Sequence, residues 1–144
     1  MKKYFFICIF GIFGAMSRYA IKNIDLSAFW GAFPVNTLII NVTGCLFFSL
    51  IITLSYETRK IDPDLRLGMT AGFLSAYTTF STLCKETVTM MHNGLYINSI
   101  IYIFLSLFLG FTISWAGAFL AKTFVIKLIR KIKRFYLNTI NQET

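Results

Sequence analysis

Six hydroxyl-bearing residues crowd into eight positions, Ser75, Tyr77, Thr78, Thr79, Ser81 and Thr82, within the stretch TAGFLSAYTTFSTLCKE at residues 70–86. The surrounding segment is apolar enough to cross a membrane. Hydrocarbon offers no partner to a hydroxyl or a carbonyl, so the cluster must face protein, water or an ion. Two chemistries fit. The hydroxyls could bond back to the preceding helical turn or join neighbouring helices. Alternatively, a helix broken at mid-membrane would free carbonyls and hydroxyls to form an ion site.

Other polar residues sit at comparable depth. Asn41 lies inside an apolar run, and its amide needs partners there, whether for packing or for donation to an anion. Arg18 is costly at that depth unless it snorkels to the interface or lines an aqueous cavity. Tyr102, Ser106 and Gly110 recur every four positions and share a helix stripe, either a polar track or a close-packing seam. Lys85 and Glu86 are adjacent, so they face different sides of a helix and need not pair. Cys8, Cys45 and Cys84 lack metal-ligand spacing and read as small buried hydrophobes. His92, beside Asn93-Gly94, reads as a loop residue at a helix end. Without paired carboxylates, a metal-ligand cluster or a nucleophile–base set, an enzyme is disfavoured.

The elements that must carry these residues are membrane helices. The 144 residues are 56% hydrophobic, with only two prolines and a mean hydropathy of +0.67. Four segments approach the roughly 20 apolar residues that a bilayer demands. They run from about Tyr4 to Ile21, Pro34 to Leu54, Leu67 to Met91 and Tyr96 to Ala121, the third interrupted over Ser75 to Thr79. The first reads as a retained helix rather than a signal peptide: its apolar core is long, and Arg18-Tyr19 stands where cleavage would fall. Its Gly11, Gly14, Ala15 and Ser17 form a small-residue packing face. Asn36, near the start of the second, could serve as a cap. The expected fold is one all-α membrane domain over residues 1–121 and a basic tail over 122–144.

Charge sets the orientation. Four spans put both termini and the polar loop Tyr56 to Arg66 on one side. Lys2, Lys3, Arg59, Lys60, Arg66, Lys122, Lys127, Arg130, Lys131, Lys133 and Arg134 then share that side, against Lys22 and Arg18 on the other. The termini are therefore expected in the cytoplasm of a multi-pass cell-membrane protein. The net charge of +8 is a topology signal rather than a nucleic-acid signal, and the tail most simply touches anionic lipid.

Three stretches, in order, resemble the CrcB or Fluc fluoride-channel family: GIFGAMSRY at residues 11–19, FPVNTLIINVTG at 33–44 and GFLSAYTTFST at 72–82. TTFST is the most specific part, and the Tyr102, Ser106, Gly110 stripe fits the fourth helix. The resemblance implies a passive, fluoride-selective exporter built as an antiparallel dimer with two pores, each lined by both subunits. The third helices would be broken and would cross at the centre, holding one structural Na⁺ by backbone carbonyls, here those of Ser75 and Thr78. Asn41, Ser81, Thr82, Tyr102 and Ser106 would line the fluoride pore. Phe80 would offer the electropositive edge of its ring to the anion. Arg18 and Glu86 would serve in the vestibules or in packing.

The chain departs from that pattern where Ser75-Ala76 replaces paired glycines and where Leu83 replaces a second phenylalanine. These departures, with the strong charge bias, suggest an oppositely inserted homologue as partner in place of a second copy. The rival readings are a partner subunit with one degraded pore and a proton-coupled small multidrug transporter. The latter needs a carboxylate that the first segment lacks.

Overall fold

A chain this apolar can hide its backbone polarity from lipid only in helices or a closed barrel. Every regular element among the described residues is helical. The computed structural model describes residues 1–24, 31, 33–58, 61–125, 127 and 131. Asp25, Phe29 and Trp30 of the first connection, Arg59 and Lys60 of the polar loop, and most of the basic tail lie outside them.

Helix α1 spans Lys2–Lys22 and α2 spans Val35–Thr58. A short α3 (Pro63–Leu67) leads into a π-helical stretch, Gly68–Leu74, and then into the single turn α4 (Ser75–Tyr77). Helix α5 covers Phe80–His92 and α6 covers Tyr96–Leu120, with a second π-helical stretch at Ala121–Val125. Three helical stretches are long and apolar enough to cross a membrane: Lys2–Lys22, Val35–Glu57 and Tyr96–Thr123. The helical segment between the second and third of these, residues 63–92, is divided. Helix α5 has 13 residues, about 20 Å at 1.5 Å per residue, short of the roughly 30 Å hydrocarbon core.

The polar loop is shorter than the sequence suggests. Tyr56 to Thr58 continue α2, and Pro63 begins a helix instead of lying in a turn. Asp62 explains this, because its carboxylate caps the backbone N–H groups of Asp64 and Leu65 and proline suits a first helical position. Pro34 stands just before α2 rather than inside it. The cysteines also differ from expectation, since Cys8 and Cys84 are exposed and Cys45 is half-buried. A helix facing lipid or another subunit has no need to bury its thiols within its own chain.

Helix α1 packs on the π-helical stretch, while α2 and α5 both pack on α6. The α1 contact depends on Gly14, where a Cβ would collide with the Phe73 carbonyl. The core is small: Leu38, Met90 and Tyr102 are buried together, flanked by Phe33, Val42, Leu83, Leu95, Leu105 and Leu109. Phe33 and Tyr102 pack edge to face, 5.5 Å between ring centroids. Leu83 is therefore a packing residue of this cluster.

Candidate functional site

The hydroxyl cluster lies where the helical path stops, but the interruption is shorter than the expected Ser75 to Thr79, because Ser75–Tyr77 keep a helical turn. Thr78 and Thr79 are extended, with ψ values of 159° and 116°, and the helix resumes at Phe80. Two β-branched residues in sequence favour extended backbone. Local chemistry then seals the break. The Thr79 hydroxyl accepts from the Thr82 N–H at 3.2 Å and donates to the Thr82 hydroxyl at 2.9 Å, capping α5. The Thr79 N–H donates to Asn41 Oδ1 at 2.9 Å, and Asn41 Nδ2 donates to the Thr79 carbonyl at 3.1 Å. One amide thus clasps both polar groups of a single peptide residue.

These bonds redirect donors that a continuous helix would use. The Thr79 N–H would have closed on the Ser75 carbonyl, and the Thr82 N–H on the Thr78 carbonyl. Both carbonyls lose those helical partners. The Thr78 side chain instead donates back to the Leu74 carbonyl at 2.8 Å. Gly44 of α2 lies against it, and a Cβ there would strike Thr78 Cγ2. Tyr77 is buried, its hydroxyl 2.8 Å from that of Thr43.

Two cavities flank the break. One, of about 280 Å³, has a largely apolar wall set with the polar side chains of Arg18, Lys22, Thr37, Thr79 and Thr82, for which we call it the polar pocket. Beside it Glu86 holds a dense set of bonds. Its Oε1 pairs with Lys22 Nζ and accepts from the Thr37 hydroxyl at 2.9 Å. Its Oε2 accepts from the Tyr102 hydroxyl at 2.9 Å. The Lys22 ammonium also donates to Thr37 at 3.0 Å. Thr37 and Tyr102 are fully buried. Glu86 thus pairs not with its neighbour Lys85 but with a lysine 64 residues earlier.

The other cavity, of about 870 Å³, is a wide cleft that opens to one side. Its wall is mostly apolar, but Asn41, Ser75, Thr78 and Ser106 reach it. Phe80 borders it and is 78% exposed, as open as the outward-facing Phe111 of α6 at 77%. Ser106 turns its hydroxyl back to the Tyr102 carbonyl at 2.7 Å.

The residues singled out in the sequence therefore divide between two places. Arg18 and Thr82 line the polar pocket, with Glu86 and Tyr102 bonded beside it. Asn41, Phe80, Ser106, Ser75 and Thr78 border the cleft, and Ser81 is exposed near the cap, 3.4 Å from the Thr79 hydroxyl. Sequence reasoning missed Lys22 and Thr37 as members of the cluster. Thr37 carried a signal, since it stands four residues before Asn41 and so shares its stripe on α2. Asn36 serves a local purpose. Its Nδ2 lies 3.1, 3.2 and 2.7 Å from the carbonyls of Ile21, Lys22 and Ile24, closing the end of α1.

Residues 5–118 match the family described as CrcB-like protein, Camphor Resistance (CrcB). Fluoride-specific ion channel FluC of Acidithiobacillus ferrooxidans is 40% identical over 116 residues, covering 81% of this chain and 93% of that protein. Fluoride-specific ion channel FluC 1 of Moorella thermoacetica is 38% identical over 119 residues, covering 83% and 85%. The FluC channel of Geotalea uraniireducens is 32% identical over 122 residues, covering 85% and 98%.

Proposed function

Because the chain belongs to the CrcB-like family of fluoride-specific FluC ion channels, a family of channels rather than enzymes, we propose that it conducts fluoride passively out of the cytoplasm. The observation that carries this reading is the helix break, clasped by Asn41 and followed by an exposed Phe80. Fluoride is small and strongly hydrated, so a conduit must replace its water with donors. The second N–H of the Asn41 amide and the hydroxyls of Ser81 and Thr82 are such donors, and those of Tyr102 and Ser106 would join them by turning away from the Glu86 carboxylate and the Tyr102 carbonyl. The edge of Phe80 attracts an anion without holding it by a full charge. Arg18 raises the local concentration of anions at the mouth.

The functional unit is an antiparallel dimer. The cleft beside Phe80 exposes the break to one side, and a second chain fitted there would cover the ring and complete the wall. The charge bias supports cytoplasmic termini for this subunit, with the transmembrane unit at residues 1–121 and the tail at 122–144 lying on lipid. Helix α5 then runs outward, so the polar pocket is its outer vestibule.

The carbonyls of Ser75 and Thr78, deprived of their helical donors, fit one structural Na⁺ at the dimer centre, two from each chain. Bound there, the ion supplies positive charge that ties the two breaks together. Hard oxygen ligands suit it, and Ser75-Ala76, in place of paired glycines, keeps helical backbone up to the break. A heteromeric unit with an oppositely inserted homologue is the second reading. Leu83 favours it, because its aliphatic side chain packs in the core cluster and offers no ring edge to an anion.

Fluoride efflux from liposomes holding this chain alone, read with a fluoride electrode, tests the proposal. Fast efflux with chloride excluded supports a self-sufficient channel. Silence of folded protein alone, followed by efflux after co-expression with a homologue, supports the heteromer. Silence in both overturns the channel reading.

A further inference from the structure

We infer that Lys22 is the fixed counter-ion of Glu86 at the vestibule and that it keeps the anion route there from becoming electronegative. The inference rests on the channel reading. Glu86 is the one carboxylate beside the polar pocket among the described residues, and its side chain is 19% exposed. An uncompensated carboxylate at that point would repel fluoride, with weaker screening than at an open surface. The Thr37 and Tyr102 hydroxyls bond to it but carry no charge. Lys22 supplies the charge directly.

Three features hold the ammonium in place. Lys22 is the last residue of α1, where a cation also meets the negative end of the helix dipole. Asn36 closes that helix end and includes the Lys22 carbonyl among its acceptors. Thr37 bridges the pair, accepting from Lys22 and donating to Glu86. The side chain of Lys22 is nevertheless 44% exposed, so its other flank faces the pocket. Arg18 lines the same pocket. Arg18 attracts the anion, whereas Lys22 cancels the charge that would turn it back. Lys22 is thus a positioning residue for the conduit.

The test is the initial fluoride efflux of K22R, K22M, K22Q, E86Q and K22M/E86Q in the assembly that conducts. K22Q keeps a donor toward Thr37 and Glu86 but not the charge, and it serves should K22M fail to fold. Expected are near wild-type flux for K22R and at least a tenfold loss for K22M and K22Q. With Glu86 neutralised, K22M/E86Q should match E86Q within about threefold, because the coupled groups are not additive. Flux of K22M and K22Q within about twofold of wild type overturns the inference, as does a double variant tenfold below E86Q. A wild type silent both alone and with a homologue overturns the channel reading and this inference with it.

Discussion

The polar pocket and the open cleft share Thr79 of the break as a common wall, yet they differ in what they lack. In the pocket, hydroxyls, carboxylate and ammonium satisfy one another: Glu86 has donors on both oxygens, and Thr79 caps its own helix. In the cleft, a phenylalanine stands exposed and two carbonyls have lost their helical donors. One chain thus satisfies the polar groups around the pocket by itself and leaves an apolar ring and two carbonyls open on the cleft side. Polar groups in a membrane protein must be satisfied within reach, and on the cleft side the proposed second chain and Na⁺ would do this.

Asn41→Asp should have the largest effect, because it attacks the wall that both cavities share. The carboxylate can no longer donate to the Thr79 carbonyl, and leaving that group unpaired costs about 1–3 kcal/mol. A negative charge beside the conduit adds to this, so efflux should fall by roughly a hundredfold or more. Efflux within tenfold of wild type would break the shared-wall picture. Phe80→Ile should abolish efflux yet change stability by no more than about 0.5 kcal/mol, since an exposed ring contributes little to a single chain's packing. A fall in detergent melting temperature in parallel with flux would instead make Phe80 structural.

Smaller effects sharpen the contrast. Gly44→Ala pushes a methyl against Thr78 and should cost about 1–3 kcal/mol, seen as a lower thermal midpoint by size-exclusion retention. Thr79→Ala removes the cap of α5 and should cost about 1 kcal/mol, with Thr79→Ser restoring most of it. Tyr102→Phe removes one donor from Glu86 while keeping the packed ring. It should lower stability by about 1 kcal/mol, the smallest loss with Thr79→Ala, because Lys22 and Thr37 still hold the carboxylate.

Much of the site was legible before the fold. The polar cluster at 75–82 announced an interruption, and the Thr78-Thr79 pair, as the most extended-favouring point, is where the backbone departs from the helix. Asn41 was legible as a group needing partners. That it spends both ends of its amide on one residue was not, because 38 positions separate the two. Pro63 misled, because a proline reads equally as a turn or a helix start until the Asp62 cap is seen. Cys8 and Cys84 misled for another reason, since burial inside the chain and burial in lipid leave the same apolar signature in sequence.

Residue order alone carried the all-helical membrane class, an interruption that includes Thr78-Thr79, and the family. All of these follow from local hydropathy, backbone propensity and short contiguous motifs. Which distant residues bond together emerged only from the packing of the helices: Lys22, Thr37, Glu86 and Tyr102 come from four separate segments, and no periodicity within one helix brings them together. The physical reason is that helix formation is set by neighbours in sequence, whereas the pairing of a charge is set by how helices cross.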